Sequence, residues 1–168
     1  GWGDEEASQS ANDVEKEILK LKKENIDGLV LDVRYNRGGS LKEAVAMAGI
    51  FIDAGPMGVL KVKGGTTQSE KDVNRGTVYD GPLLVMVNGL SASACEFLAA
   101  ALQDYHRGII VGSRTYGKAT GQEVFSLEPD GKNAGASAAK KLGWGYTTIT
   151  TLKIYRVTGK AAQKRGVT

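Results

Sequence analysis

Ser93 lies in a run of mostly small residues, Gly89-Leu90-Ser91-Ala92-Ser93-Ala94, and Lys118 follows 25 positions later in Thr115-Tyr116-Gly117-Lys118. Small side chains at 89 and 91 to 94 let the backbone turn sharply where an apolar helical pattern begins. That leaves a hydroxyl exposed at a helix N-terminus, where the positive end of the helix dipole favours developing negative charge. A lysine returning from the far side of the next strand would then serve as base for a serine nucleophile. The single histidine, His106, falls on the helix that follows the serines, so a histidine triad is hardly available and lysine must do the proton work.

Each of these residues also has an ordinary reading. Serines such as Ser91 and Ser93 commonly cap helices, and Lys118 fits a surface turn. Gly112 to Ala119 nearly spells the phosphate-binding loop G-x-x-x-x-G-K-[ST], but Ala119 stands where the magnesium-binding hydroxyl belongs. The chain beyond it, Gly121 to Leu127, reads as extended where that loop needs a helix start. The pair Gly38-Gly39 lets backbone amides approach a ligand closely, as an oxyanion hole requires, and would equally serve a strand-to-helix turn. Asp32 and Arg34 are expected to form a buried structural ion pair, and Cys95 to be a packed thiol.

Composition narrows the class. A chain of 168 residues with 41% hydrophobic content can bury one core, so residues 1–168 read as a single domain. The net charge of +3 is small and scattered, which argues against nucleic acid as a partner. One cysteine allows no internal disulfide. No stretch of 18 apolar residues and no signal-peptide pattern occurs, so no transmembrane segment is expected. The ends, Gly1-Trp2-Gly3 and Gly166-Val167-Thr168, look cut, and a fragment of a longer protein is expected.

The elements that must position these groups alternate along the chain. Caps at Ser10 to Asp13 precede a helix marked by Val14, Ile18 and Leu21. Gly28 to Val33 is a nearly continuous apolar run, as in a strand covered on both faces. Ser40 caps a second helix with Leu41, Ala44, Val45 and Ala48 inward. Strands are expected at Val59 to Val62, Leu83 to Val87 and Gly108 to Val111, with a helix from about Ala94 to Tyr105. Ser126 to Gly145 reads as a mobile surface loop, and Tyr146 to Tyr155 as a strand. Such alternation predicts an α/β domain with helices on the sheet faces.

Taken together, Asp32 to Gly39, Ser91-Ala92-Ser93-Ala94 with Glu96, Ala100 to Tyr105, Val111-Gly112, Tyr116-Gly117-Lys118, Gln122 and the stretch from Lys153 to Thr168 resemble the catalytic domain of the C-terminal processing peptidases, tail-specific protease branch. The resemblance implies a crotonase-like, Clp-protease-like α/β core of sheets with flanking helices. It implies a Ser/Lys endopeptidase acting at or near the C-terminal tails of proteins in the cell envelope, the periplasm in bacteria. In that reading Ser93 is the nucleophile, Lys118 the base and Gln122 the group that holds the lysine. Gly38 or Gly39, with Ala94, would supply the oxyanion amides, and no metal or organic cofactor is needed. Protein or peptide tails are the implied substrates, with an envelope adaptor or a second copy as further partners. The PDZ domain and flanking segments usual in the family are not expected within these residues. Two alternatives are a non-catalytic scaffold on a degenerate protease fold and a crotonase-like acyl-CoA enzyme. The Ser93, Lys118 and Gln122 set speaks against the first, and the second has no need of a serine and lysine pair.

Overall fold

The computed structural model describes residues 10–72, 76–127 and 145–168. The elements run α1 (Ser10–Lys22), β1 (Leu29–Asp32), α2 (Leu41–Gly49), β2 (Gly55–Val62), β3 (Thr67–Asp72), β4 (Leu83–Val87), α3 (Ala94–Asp104), β5 (Ile109–Gly112), β6 (Thr120–Ser126) and β7 (Tyr146–Arg156). They form a mixed α/β fold with two sheets. One is parallel, in the order β1-β4-β5, and the other is antiparallel, in the order β3-β2-β7-β6. In the parallel sheet β4 is central, with Leu31 beside Val85 and Val85 beside Ile110.

Helix α3 joins the two sheets. Its residues from Ala94 to Leu102 are all buried, and it touches β2 and β7 of one sheet, β5 of the other, and α2. An element enclosed in this way reads as apolar all round, here ACEFLAAAL. Its small alanines let neighbouring backbones come close, while Phe97, Leu98 and Leu102 fill the core with Val85, Val87, Phe51 and Met57. The far end of α3 is tied to the end of β7 by Arg156, whose Nε donates to Asp104 Oδ2 at 2.9 Å and whose Nη2 donates to Gln103 Oε1 at 2.8 Å.

The observed helices and most strands lie where the periodicity places them, with three differences. First, the parallel sheet is covered on one face only: Val30 is 54% exposed, although its run reads as a strand covered on both faces, and Ile109 in β5 is 66% exposed. Second, β3, with the sequence TQSEKD, has no apolar alternation and is held by pairing to β2. Third, α1 buries Ile18 against the core while Leu21 stays 40% exposed, so its inward stripe is narrower than the pattern suggests. The segment expected to be a mobile loop falls mostly on residues 128–144, outside the described residues.

Candidate active site

In an open parallel sheet, ligands bind at the carboxyl ends of the strands, because the turns leaving them converge there. Here β1 leads into the turn with Gly38 and Gly39, β4 into the turn ending at Ser93, and β5 into the segment ending at Lys118. Three adjacent strands therefore deliver the three sequence motifs to one end of the sheet.

The first two turns are locked together by Ser91, which is fully buried. Its hydroxyl donates to the Val33 carbonyl at 2.8 Å and accepts from the Asn88 N–H at 3.0 Å. The Asn88 carboxamide oxygen accepts from the N–H groups of Tyr35 and Leu90, and the Ala92 N–H donates to the Asn36 carbonyl at 2.9 Å. Ser91 thus ties two loops rather than capping a helix. Ser93 directly precedes α3 with φ 60° and ψ −121°, a region that residues with a side chain rarely adopt.

Gly38, at φ 85°, fits beneath this turn. A Cβ there would lie 2.6 Å from the Ala92 carbonyl oxygen and 2.8 Å from both the Ala94 nitrogen and the Ser93 Cβ. The Gly38 N–H is already committed to Asn36 Oδ1 at 2.8 Å. The N–H groups of Gly39 and Ala94 have no hydrogen-bond partner among the described residues.

Lys118 is half-buried and follows Gly117, whose φ of 90° makes the turn out of the β5 segment. With Ser93, Glu96, Phe97, Met57 and Ile154 it lines a narrow cleft of about 20 Å³, space for about one water molecule. No hydrogen bond or ion pair engages the lysine amine among the described residues, and none joins it to Ser93. Catalytic contacts in ligand-free sites are often open in this way and tighten on substrate. Gln122 lies on β6 opposite Thr150, at a register shift, exposed and without a hydrogen bond to Lys118. The strand β6 follows the lysine directly, so the phosphate-loop geometry that the motif nearly spells is not formed.

Two carboxylates lie near the site. Asp32 and Arg34 do pair, Nε to Oδ1 at 3.0 Å and Nη2 to Oδ2 at 2.8 Å, but at the surface and not buried as expected, because both sit where β1 leaves the sheet on its uncovered side. The Arg34 guanidinium holds the Asp32 carboxyl below the usual carboxylate range. Glu96, in contrast, is 1% exposed and accepts hydrogen bonds from Ser93, Thr115, Gly117 and Lys118. The sequence reading gave Glu96 and Thr115 no role of their own. The signal available was a glutamate three residues after a serine that precedes a helix, which fits an ordinary cap. His106 lies beyond the C-terminal end of α3, in a groove with Gly28, Pro82 and Gly108, which precede the parallel strands and so mark the opposite end of the sheet. Cys95 is a packed thiol, its Sγ 3.5 Å from the Val33 carbonyl oxygen.

The family model of peptidase family S41 matches residues 4–168. A tail-specific protease of Haemophilus influenzae is 39% identical over 155 residues, which cover 92% of this chain and 21% of that protein. A carboxyl-terminal-processing protease of Picosynechococcus is 35% identical over 134 residues, covering 80% of this chain and 32% of that one. Among solved structures, a photosystem II D1 C-terminal processing protease superposes with a TM-score of 0.79 at 30% identity, covering 96% of this chain and 38% of that chain. This chain therefore spans about a fifth to a third of the length of these two relatives.

Two outcomes follow from the packing. Gly38→Ala should force the Ser93 turn apart and destabilise the fold by about 1–3 kcal/mol, because its Cβ has no room. Gly39→Ala, with nothing within 4 Å of its Cβ, should change the denaturant midpoint little; equal losses in the two variants would contradict the geometry. Burial pushes the Cys95 thiol up to about 11, with the Ser91 hydrogen bond pulling the other way and the Glu96 charge adding to the rise. The folded state therefore keeps a proton that the unfolded chain loses near 9.0. Stability present below pH 9 should fall as pH climbs towards 11, by about 2 kcal/mol, and denaturation of Cys95→Ala should show a shallower decline over that window.

Proposed function

The chain belongs to peptidase family S41, and from that premise we propose that it carries the catalytic machinery of a serine endopeptidase that cleaves at or near protein C-terminal tails. Ser93 acts as nucleophile and Lys118 as base. The observation that carries the reading is that Ser93, in a strained turn at the start of α3, and Lys118 line one cleft at the carboxyl end of the parallel sheet. A scaffold would have no use for that strain, and an acyl-CoA enzyme no use for the lysine.

In the mechanism, the neutral amine of Lys118 takes the Ser93 hydroxyl proton as the oxygen attacks the substrate carbonyl. The carbonyl oxygen becomes an oxyanion. The amides of Ala94 and Gly39, without a partner among the described residues, are suited to receive it, since preorganised N–H donors are worth most where charge develops. Gly38 is better suited to shape that site than to donate, because Asn36 already takes its N–H. The positive end of the α3 dipole supports the same charge. Collapse of the tetrahedral intermediate transfers the lysine proton to the leaving amine and leaves an ester on Ser93. Water, deprotonated by the same amine, attacks the ester, and the acid product leaves with Ser93 protonated again. Gln122 is assigned to hold the lysine amine once substrate fills the cleft, a role it can take from β6 only by approaching Lys118.

No metal or cofactor enters these steps. Protein tails in the cell envelope, the periplasm in bacteria, are the proposed substrates. Capture by a separate PDZ domain, an envelope adaptor or a second copy would raise the local tail concentration beyond what the narrow cleft alone achieves. No helix among the described residues is long and apolar enough to cross a membrane.

Hydrolysis of an unfolded protein substrate tests the assignment. Ser93→Ala should abolish it, and Lys118→Ala should lower kcat by about 100-fold or more. His106→Ala should leave the rate essentially unchanged, because the imidazole lies at the opposite end of the sheet. Retained hydrolysis in a folded Lys118→Ala protein, or its loss in His106→Ala, would overturn the dyad.

A further inference from the structure

Glu96 is a buried carboxylate that the proton transfers above do not use. Its two oxygens are filled by donors from two separate turns. Oε2 accepts from the Ser93 N–H at 2.9 Å and from the Lys118 N–H at 2.8 Å. Oε1 accepts from the Thr115 hydroxyl at 2.5 Å and from the Gly117 N–H at 2.7 Å. The Thr115 hydroxyl in turn accepts from the Val167 N–H at 2.7 Å, which leaves its own proton directed at Glu96. Every group facing the carboxylate is a donor, so the side chain serves wholly as an acceptor.

We propose that Glu96 is the positioning residue that holds the nucleophile and the base of this site in register. The inference rests on the Ser93 and Lys118 reading and deepens it. A single atom, Oε2, bridges the backbone of Ser93 to the backbone of Lys118, which caps the separation of those two amides at the length of two hydrogen bonds. The same carboxylate satisfies the strained Ser93 amide at the start of α3 and fixes the turn at Gly117 that aims the lysine side chain. Charge-assisted hydrogen bonds are about twice as strong as neutral ones, so one carboxylate can hold both turns against the tendency of Ser93 to relax. Glutamine cannot replace it. Its single oxygen serves one pair of donors, and its NH2 then faces the other pair.

The test combines catalysis with amide exchange. In Glu96→Gln, kcat on a peptide substrate should fall by about 100-fold with KM within about twofold of wild type, as expected when reacting groups are misplaced by about 1 Å. Amide hydrogen exchange at Ser93, Gly117 and Lys118 should quicken at least about tenfold, while Val85 and Val87 in β4 remain protected. A purely structural role would quicken exchange nowhere selectively, and would lower the active fraction without this site-specific loosening. Wild-type kcat in Glu96→Gln, or unchanged exchange at Ser93 and Lys118, would overturn the proposal. Should Glu96→Gln fail to fold, Thr115→Val removes one donor and keeps the carboxylate. It should lower kcat and loosen Gly117 and Lys118, and Thr115→Ser should restore both; equal behaviour of the two would also overturn it. If the Ser93 and Lys118 assignment itself is wrong, Ser93→Ala retains hydrolysis, and the exchange measurements still decide whether Glu96 joins the two turns.

Discussion

A serine held at φ 60° and ψ −121° sits about 1–3 kcal/mol above an ordinary conformation, and such a residue persists only where its surroundings over-determine it. At Ser93 the surroundings act from three sides. The buried Ser91 hydroxyl pins the preceding turn to the end of β1. Gly38 offers a surface without a side chain, against which the turn closes. Glu96 reaches back from the first turn of α3 to take the Ser93 N–H. The rest of the domain can be understood as what keeps these three supports in place. The enclosed helix α3 fixes Glu96, the β1-to-α2 turn presents Gly38, and the parallel register of β1 with β4 brings the two turns together.

The lysine reaches the site by a different route. It arrives at the end of a segment leaving β5, and is then carried at once into the second sheet through β6. The Ile154 N–H of β7 donates to the Ala119 carbonyl at 2.9 Å, and Gln163 Oε1 accepts from the Ala119 N–H at 2.7 Å. The residue after Lys118 is therefore anchored on both its backbone groups, while the lysine side chain has no hydrogen-bond partner among the described residues, the arrangement the proposed base would require. Arg156 and Asp104 close the frame at the far end of α3, so the helix that begins after Ser93 and the sheet that follows Lys118 cannot drift apart independently.

Much of this was legible in the residue order because the supports of a strained turn have few chemical solutions. A glycine pair after one strand, small residues after another and Gly117 before the lysine each mark a backbone conformation that larger residues resist. What stayed hidden depends on contacts between distant segments. Glu96 looks like any glutamate in a first helical turn, and nothing local shows that residues 115–118 will fold over it. The polar strand β3 has no periodic signal, since its place comes from pairing with β2. The apolar run of β1 suggested two covered faces because hydrophobic composition alone cannot show which side carries helices. Asp32 and Arg34 were misplaced into the interior for the same reason: their mutual pairing is evident from spacing, whereas their exposure depends on that open face.

Covalent capture tests the central claim most directly. A fluorophosphonate reacts only with a serine that is both activated and accessible, so mapping its adduct by peptide mass spectrometry reads the assembled site without assuming any natural substrate. The account predicts a single adduct on Ser93, with Ser91 spared because it is buried in loop contacts and Cys95 spared because its thiol is packed and protonated at neutral pH. An adduct on Ser91 or Cys95, or labelling of Ser93 that persists undiminished in Lys118→Ala, would contradict it.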